Sequence, residues 1–420
     1  MQPVIRRRIA IGAGSLPGVF STVPAARSSS LQTSPPQPLS RPKQTPLSLP
    51  RQQQCRPFSV SLRLTQEAQS QSPPVENALP SSGTSHLTSR SLISLSGPDA
   101  AKFLKGIITN ELPTNYTTLT YAAFLSAQGR ILNDVFIYLD PRSQSPDDFL
   151  IEVSTPEAPT LAKHLKRYKL RSKCTISLLS PEEANIYAVW GTTTTPSSST
   201  ENPHLYPDPR FPSSAPCHRL LAFGSEQPTT TQPEQIYHVL RYSLGIAEGQ
   251  AEILRDSALP HESNLDLLSG VDFKKGCYVG QELTIRTEHR GVVRKRILPA
   301  VLYSSAASSP PSSLQYSDVE LASKIAPGVN VTRVGKRGRP AGKWLGGVGN
   351  LGLVLGRLEM MTDLKLPGED SVGVGMGYKE GDEFEVEVEG QEEKVRVKAF
   401  VPGWLRERLG EKMEKKMRRG

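Results

Sequence analysis

The sequence predicts an α+β protein whose chain ends in a small antiparallel β-barrel. From residue 91 to residue 245, runs with the two-residue period of strands alternate with runs of helical period. After about residue 291 the chain changes to short β-rich runs punctuated by glycine, the pattern of a small antiparallel barrel.

The elements follow in order. Ser91–Leu95 reads as a strand, and Gly97-Pro98-Asp99 then opens a helix whose apolar residues Ala100, Phe103, Leu104, Ile107 and Ile108 share one face. Tyr121–Ala127 and Ile131–Leu139 read as strands joined by Gln128-Gly129-Arg130, a hairpin signal. Alternation in the second strand puts Asp134 on the face of Leu132, Phe136 and Tyr138, among aromatics. Phe149–Val153 is a further strand, and 156–170 a helix with Leu161, Leu165 and Tyr168 inward. Cys174–Leu179, Ile186–Trp190 and His218–Phe223 continue the ordered chain, and a helix marked by Ile236, Val239 and Leu240 ends near Gly245. Barrel strands are expected over Val292–Leu302, Leu351–Leu358, Phe384–Val388 and Val395–Phe400.

Charge divides the chain differently. The formal net charge is +9, and the first acidic residue is Glu67, preceded by eight arginines and Lys43. The rest carries 41 basic and 41 acidic residues. Nucleic-acid or membrane-surface binding needs basic charge on the folded body, so a neutral body argues against both partners. An acid-free start rich in Arg, Ser and Pro fits a mitochondrial transit peptide. Arg56-Pro57-Phe58-Ser59 resembles a matrix-protease site, which gives a mitochondrial matrix address. A secretory signal is the rival reading, but Ile9–Ala26 is interrupted by three glycines and two prolines and followed by more arginine. The expected divisions are a leader over 1–58, a linker over 59–88 and a first region over 89–290 with low-complexity insertions at 191–203 and 226–233. A barrel over 291–405, with insertions at 304–318 and 335–350, precedes a basic tail over 406–420 that is expected as a solvated terminal helix.

Cys55 lies in the leader, leaving Cys174, Cys217 and Cys277. An odd number without a CxxC pair argues against a disulfide framework or a structural zinc site. The segment of greatest chemical content is Lys275-Gly276-Cys277-Tyr278-Val279-Gly280-Gln281-Glu282. Its thiol follows two lysines and lies between glycines where a strand is expected to turn into a helix. Neighbouring ammonium groups and a helix N-terminus both favour thiolate, the form that binds soft metal. Gln281 and Glu282 fall in the first helical turn, and Glu282 with Arg286 has the spacing of an i, i+4 pair. The competing reading is a tight turn with a buried cysteine.

This octapeptide resembles the signature of the YgfZ-like, folate-binding branch of the glycine-cleavage aminomethyltransferase family. Gly97–Leu104 with Thr109-Asn110, Phe124–Asp134, Tyr168–Arg171, Arg241–Ile246 and Leu259–Asp266 are similar to the family's flanking motifs, so the resemblance covers most of residues 90 to 300. It implies an aminomethyltransferase-like multi-domain fold arranged around a central cavity. It also implies an accessory factor, rather than an enzyme, that matures four-iron clusters with A-type scaffold proteins for four-iron recipient enzymes. Cys277 would then be a transient ligand to a cluster or partner, with Lys275, Gly276, Tyr278, Gly280, Gln281, Glu282 and Arg286 shaping its turn. The alternative implied is a tetrahydrofolate-dependent aminomethyl transferase using Asp134. The family's transferases carry adjacent acids in this strand, whereas this chain has Asn133-Asp134.

Three other signals are discounted. Arg337-Gly338-Arg339-Pro340 resembles the core of a minor-groove AT-hook, but a single copy in a neutral body is weak. The glycines of 368–377 lack a phosphate-loop Lys-Ser/Thr. The seven histidines show no metal-ligand spacing, and His261 and His289, which flank the octapeptide, read as surface residues.

Overall fold

The computed structural model describes residues 79–191, 204–225, 227–307, 309–336, 338–365, 377–388 and 394–417. The chain divides after Ser70 into two units, and every described residue belongs to the second. The leader expected over 1–58, the insertion core 192–203, Arg337 and most of 368–377 lie outside the described residues.

The first region holds β1 (Gly83–His86), β2 (Arg90–Ser96), α1 (Ala100–Lys105), β3 (Leu119–Leu125), β4 (Ile131–Leu139), β5 (Phe149–Ser154) and α2 (Ala158–Tyr168). It continues through β6 (Thr175–Leu178), β7 (Ala184–Trp190), β8 (Leu205–Pro207), β9 (Cys217–Phe223), α3 (Glu234–Leu244) and α4 (Gln281–Arg290). Two antiparallel sheets result, ordered β3-β4-β5-β2-β6 and β1-β7-β9-β8. Strand β1 lies within the stretch expected as linker, and Thr231 and Gln232, expected in an insertion, donate backbone bonds to its Thr84.

Helices α1 and α2 cover one face of the five-stranded sheet, where Phe103, Leu104, Leu161 and Leu165 join a core with Ile93, Val135 and Ile151. Tyr168 is 39% exposed rather than inward, because it closes the last turn of α2 and stacks on His164. The other face of the sheet contributes Tyr121, Phe136 and Tyr138 to a larger core shared with α3 and the barrel. A bulge at Leu132 breaks the expected alternation: Phe124 pairs with Asn133 and Leu125 with Ile131. Leu132 therefore faces the α1/α2 core, not the face of Phe136 and Tyr138.

Strands β10 (Lys295–Tyr303), β11 (Asn330–Arg333), β12 (Gly342–Val348), β13 (Leu351–Arg357), β14 (Phe384–Val386) and β15 (Val395–Ala399) close into a barrel. Strand β12 occupies the second half of the stretch 335–350 expected as an insertion. Its Trp344 is fully buried because Gly347 and Gly352 clear its ring; a Cβ on Gly352 would lie 2.4 Å from that indole. After the short α5 (Leu358–Met361), the chain ends in α6 (Gly403–Met417). This last helix is not a solvated tail: Trp404, Leu405 and Leu409 are buried, and Lys412 reaches Asp266 at 2.6 Å.

Candidate functional site

The octapeptide begins in a loop of turns between Leu259 and Gly280, not at a strand end, and its last two residues, Gln281 and Glu282, open α4. Main-chain bonds stitch this loop to the chain that leaves α1. Asp272 N donates to Thr109 O at 3.0 Å, Val279 N to Gly106 O at 3.1 Å, and Thr109 Oγ1 to Gly270 O at 2.6 Å. The ammonium of Lys275 donates to three carbonyls there, those of Lys105 at 2.9 Å and of Ile108 and Asn110 at 2.8 Å. All three of its donors are thus spent on backbone that would otherwise be unpaired below α1. Burial pushes this ammonium down to about 8, with Lys105 adding to the effect and Glu111 opposing it.

The two glycines of the octapeptide do different things. Gly280 has φ +79°, and a Cβ there would lie 2.2 Å from Ser126 O; Gly129, also at φ +79°, would place a Cβ 2.9 Å from Gly280 O. The β3–β4 hairpin and the octapeptide therefore meet glycine against glycine. Gly276 has open space around it. Tyr278 is buried, and its backbone N–H donates to Gln281 Oε1 at 3.3 Å. Between these anchors Cys277 is exposed. Cys174 and Cys217 are buried, and burial pushes both thiols up, Cys217 to about 12. Glu282 and Arg286 lie exposed on α4, and no ion pair joins them.

Asp134 sits elsewhere, in a fully buried ionic network between the two sheets. Its exposure is 0%, and its carboxylate accepts from Gly249 N at 3.0 and 3.2 Å and from Gln250 Nε2 at 2.9 Å. Arg90 bonds Glu152 at 2.8 Å, and Tyr138 donates to the same carboxylate at 2.6 Å. Arg210 bonds Asp208 and Glu248 at 2.7 and 2.6 Å, Arg219 also bonds Glu248, and Arg241 bonds Glu252 at 2.9 Å. The guanidiniums of Arg210 and Arg219 lie 4.6 and 4.7 Å from the centre of the Phe136 ring. Burial opposes ionisation of Glu248, but Arg219, Arg210, Arg90 and Arg241 hold its carboxyl well below the ordinary range. The Asp134 carboxylate is thus enclosed, with Gly249 and Gln250 as its hydrogen-bond donors.

The barrel can be matched directly: residues 294–407 fit the family described as "CAF17, C-terminal beta-barrel domain". A mitochondrial "Iron-sulfur cluster assembly factor IBA57 homolog" of Chaetomium globosum is 49% identical, covering 79% of this chain and 85% of the relative. The homolog of that name in Pyricularia oryzae is 48% identical over 78% of this chain and 86% of its own length. The chain belongs to the IBA57 family. Among solved structures, the glycine cleavage system aminomethyltransferase T of Bartonella henselae superposes with a TM-score of 0.51 at 12% identity. That match covers 77% of this chain and 86% of the other, so this IBA57-family chain has the aminomethyltransferase-like fold with a C-terminal closed barrel.

In this family member the residues that sequence reasoning missed are those of the ionic network. Glu152 inside an apolar strand and Arg219 inside another were the available signal, since a charge at an inward strand position needs a partner. His261 is also misread as a surface residue. It is 3% exposed and lies 3.1 Å from Glu288, in a cluster with Asp266. This trio is an ion-pair node rather than a metal centre, because Arg296 holds Asp266 at 2.9 Å and Lys412 bonds both carboxylates.

Proposed function

We propose that this chain, like the mitochondrial relatives it matches, is an iron-sulfur cluster assembly factor, and that it works in the mitochondrial matrix on the maturation of four-iron proteins. Its partners in this reading are an A-type scaffold protein and the four-iron recipient enzymes. The observation that supports the reading is the exposed Cys277 at the tip of a loop fixed on both sides. A single thiol supplies one ligand, and a cluster needs more, so the cluster is cargo shared with the partner's ligands. The loop supplies a thiol at a defined place on a surface, and the remaining ligands arrive with the scaffold.

In cells lacking the wild-type protein, Cys277→Ser is expected to accumulate as a folded chain and to leave four-iron enzymes inactive. Anaerobic mixing with an A-type scaffold carrying a cluster is expected to give a complex whose absorption spectrum changes for wild type and not for Cys277→Ser. Intact four-iron enzyme activity in the variant would remove the thiol from the function.

A tetrahydrofolate-dependent aminomethyl transfer through Asp134 is the second reading. The fold favours it, and the burial of Asp134 weighs against it. Glycine-cleavage activity of purified protein that disappears in Asp134→Ala and persists in Cys277→Ser would reverse the order of the two.

A further inference from the structure

A cavity of about 380 Å³ opens between the barrel and the loop that follows α3, at the size of small-molecule sites. Its floor is apolar, formed by Leu254, Ala258, Ile297, Leu345 and Leu355. Its rim carries Arg130, Lys295, Arg339, Lys343 and Arg357 against two acids, Glu252 and Glu262. Both acids are already committed, Glu252 to Arg241 at 2.9 Å and Glu262 to Lys295 at 3.0 Å. Among the described residues no carboxylate lies within 4.0 Å of Arg130, Arg339, Lys343 or Arg357. Arg130 and Arg357 are held in place through backbone carbonyls, Ser257 O at 2.7 Å and Pro340 O at 3.1 Å, which orient a guanidinium without neutralising it. Burial lowers the Arg357 guanidinium and Arg339 lowers it further, while Glu359 and Glu262 act from a distance in the opposite sense.

A second cavity of about 300 Å³ shares Glu262, Lys295, Arg339 and Arg357 with the first and extends to Leu283 and Thr287 of α4. Thr284 lines it, and its hydroxyl is buried without a hydrogen-bond partner. Asp134 and Cys277 line neither cavity.

We propose that this seam binds a small organic polyanion, with its apolar body on the Leu254–Leu355 floor and its negative groups on Arg130, Arg339, Lys343 and Arg357. Four cations with no carboxylate in salt-bridge reach around an apolar floor favour such a ligand over a neutral one, because each negative group gains a partner in a site partly withdrawn from water. The ligand would bridge barrel and first region, contacting both walls at once.

The test uses 8-anilinonaphthalene-1-sulfonate, an apolar anion whose fluorescence rises on binding, and its uncharged analogue N-phenyl-1-naphthylamine. One saturable site for the anion is expected, displaced by pyrophosphate. Arg339 and Lys343 are exposed, so their substitution leaves the fold intact, which thermal unfolding checks. Arg339→Glu and Lys343→Glu are each expected to weaken the anion by about tenfold. Cys277→Ser is expected to bind as wild type does. Equal binding of the neutral analogue, failure of pyrophosphate to compete, or unchanged affinity in both charge-reversed variants would overturn the proposal.

Discussion

The ammonium of Lys275 donates a 2.8 Å hydrogen bond to the carbonyl of Ile108, across 167 residues of chain. With the carbonyls of Lys105 and Asn110 it forms a three-point clasp between the turn after α1 and the loop that carries Cys277. The lysine thus acts on the thiol through loop position.

Lys275→Met removes three donors and leaves three carbonyls to find water. A cost of about 1–3 kcal/mol is expected from denaturant unfolding. Amide exchange should accelerate over 270–280, while the barrel strands keep their protection. Unchanged exchange in that loop would show that the clasp does not hold it.

Gly280→Ala and Gly276→Ala separate the two glycines. The first puts a methyl 2.2 Å from Ser126 O at a φ of +79° and is expected to lower stability by about 2–3 kcal/mol. The second meets open space and should stay within about 0.5 kcal/mol of wild type.

Thiol reactivity should follow burial. In a chain carrying Cys55→Ser, one maleimide is expected to add to the native protein, at Cys277, with Cys174 and Cys217 reacting only on unfolding. Peptide mapping after labelling identifies the site, and label on Cys217 in the native state would contradict the packing.

Acid stability tests the ion-pair node under α6. Burial opposes ionisation of Asp266, and Arg296 overrides it, so the folded-state carboxyl lies far below its unfolded value. A carboxyl depressed in this way contributes stability above its unfolded value near 4, and that contribution is lost as pH falls below it. Wild type should therefore lose stability between about pH 5 and pH 3, and Asp266→Asn should start lower and fall less steeply over that window. Removing 406–420 deletes Leu409 and Lys412 and is expected to cost at least about 2 kcal/mol.

Much of the architecture was legible because period and punctuation agree. The β3–β4 hairpin, α3 ending at the left-handed Gly245, and the β-rich C-terminal part are all visible in residue spacing. The bulge at Leu132 was not, since nothing in Ile131-Leu132 marks where pairing skips a residue. Strand β12 was hidden by its glycines, which read as a loop until Trp344 is seen to need their absent side chains. The C-terminal helix was legible, but its charge hid the packing of Leu409 against the body.

At the candidate site, Cys277 and its flanking glycines stood out by composition. The role of Lys275 did not, because adjacency in sequence suggested a charge for the thiol, whereas folding turns that charge towards residues 105 to 110. The network around Glu248 joins strands, loops and a helix from distant parts of the chain, so that Glu152 and Arg219 mark the need for a partner without saying which.

The clasp also has a consequence in time. Because Lys275 closes on a carbonyl 170 residues upstream, a chain that has folded only its first sheet has no anchored loop and offers no thiol at a fixed place. A chain that stops short of residue 275 therefore lacks the clasp altogether, however well its first sheet is formed.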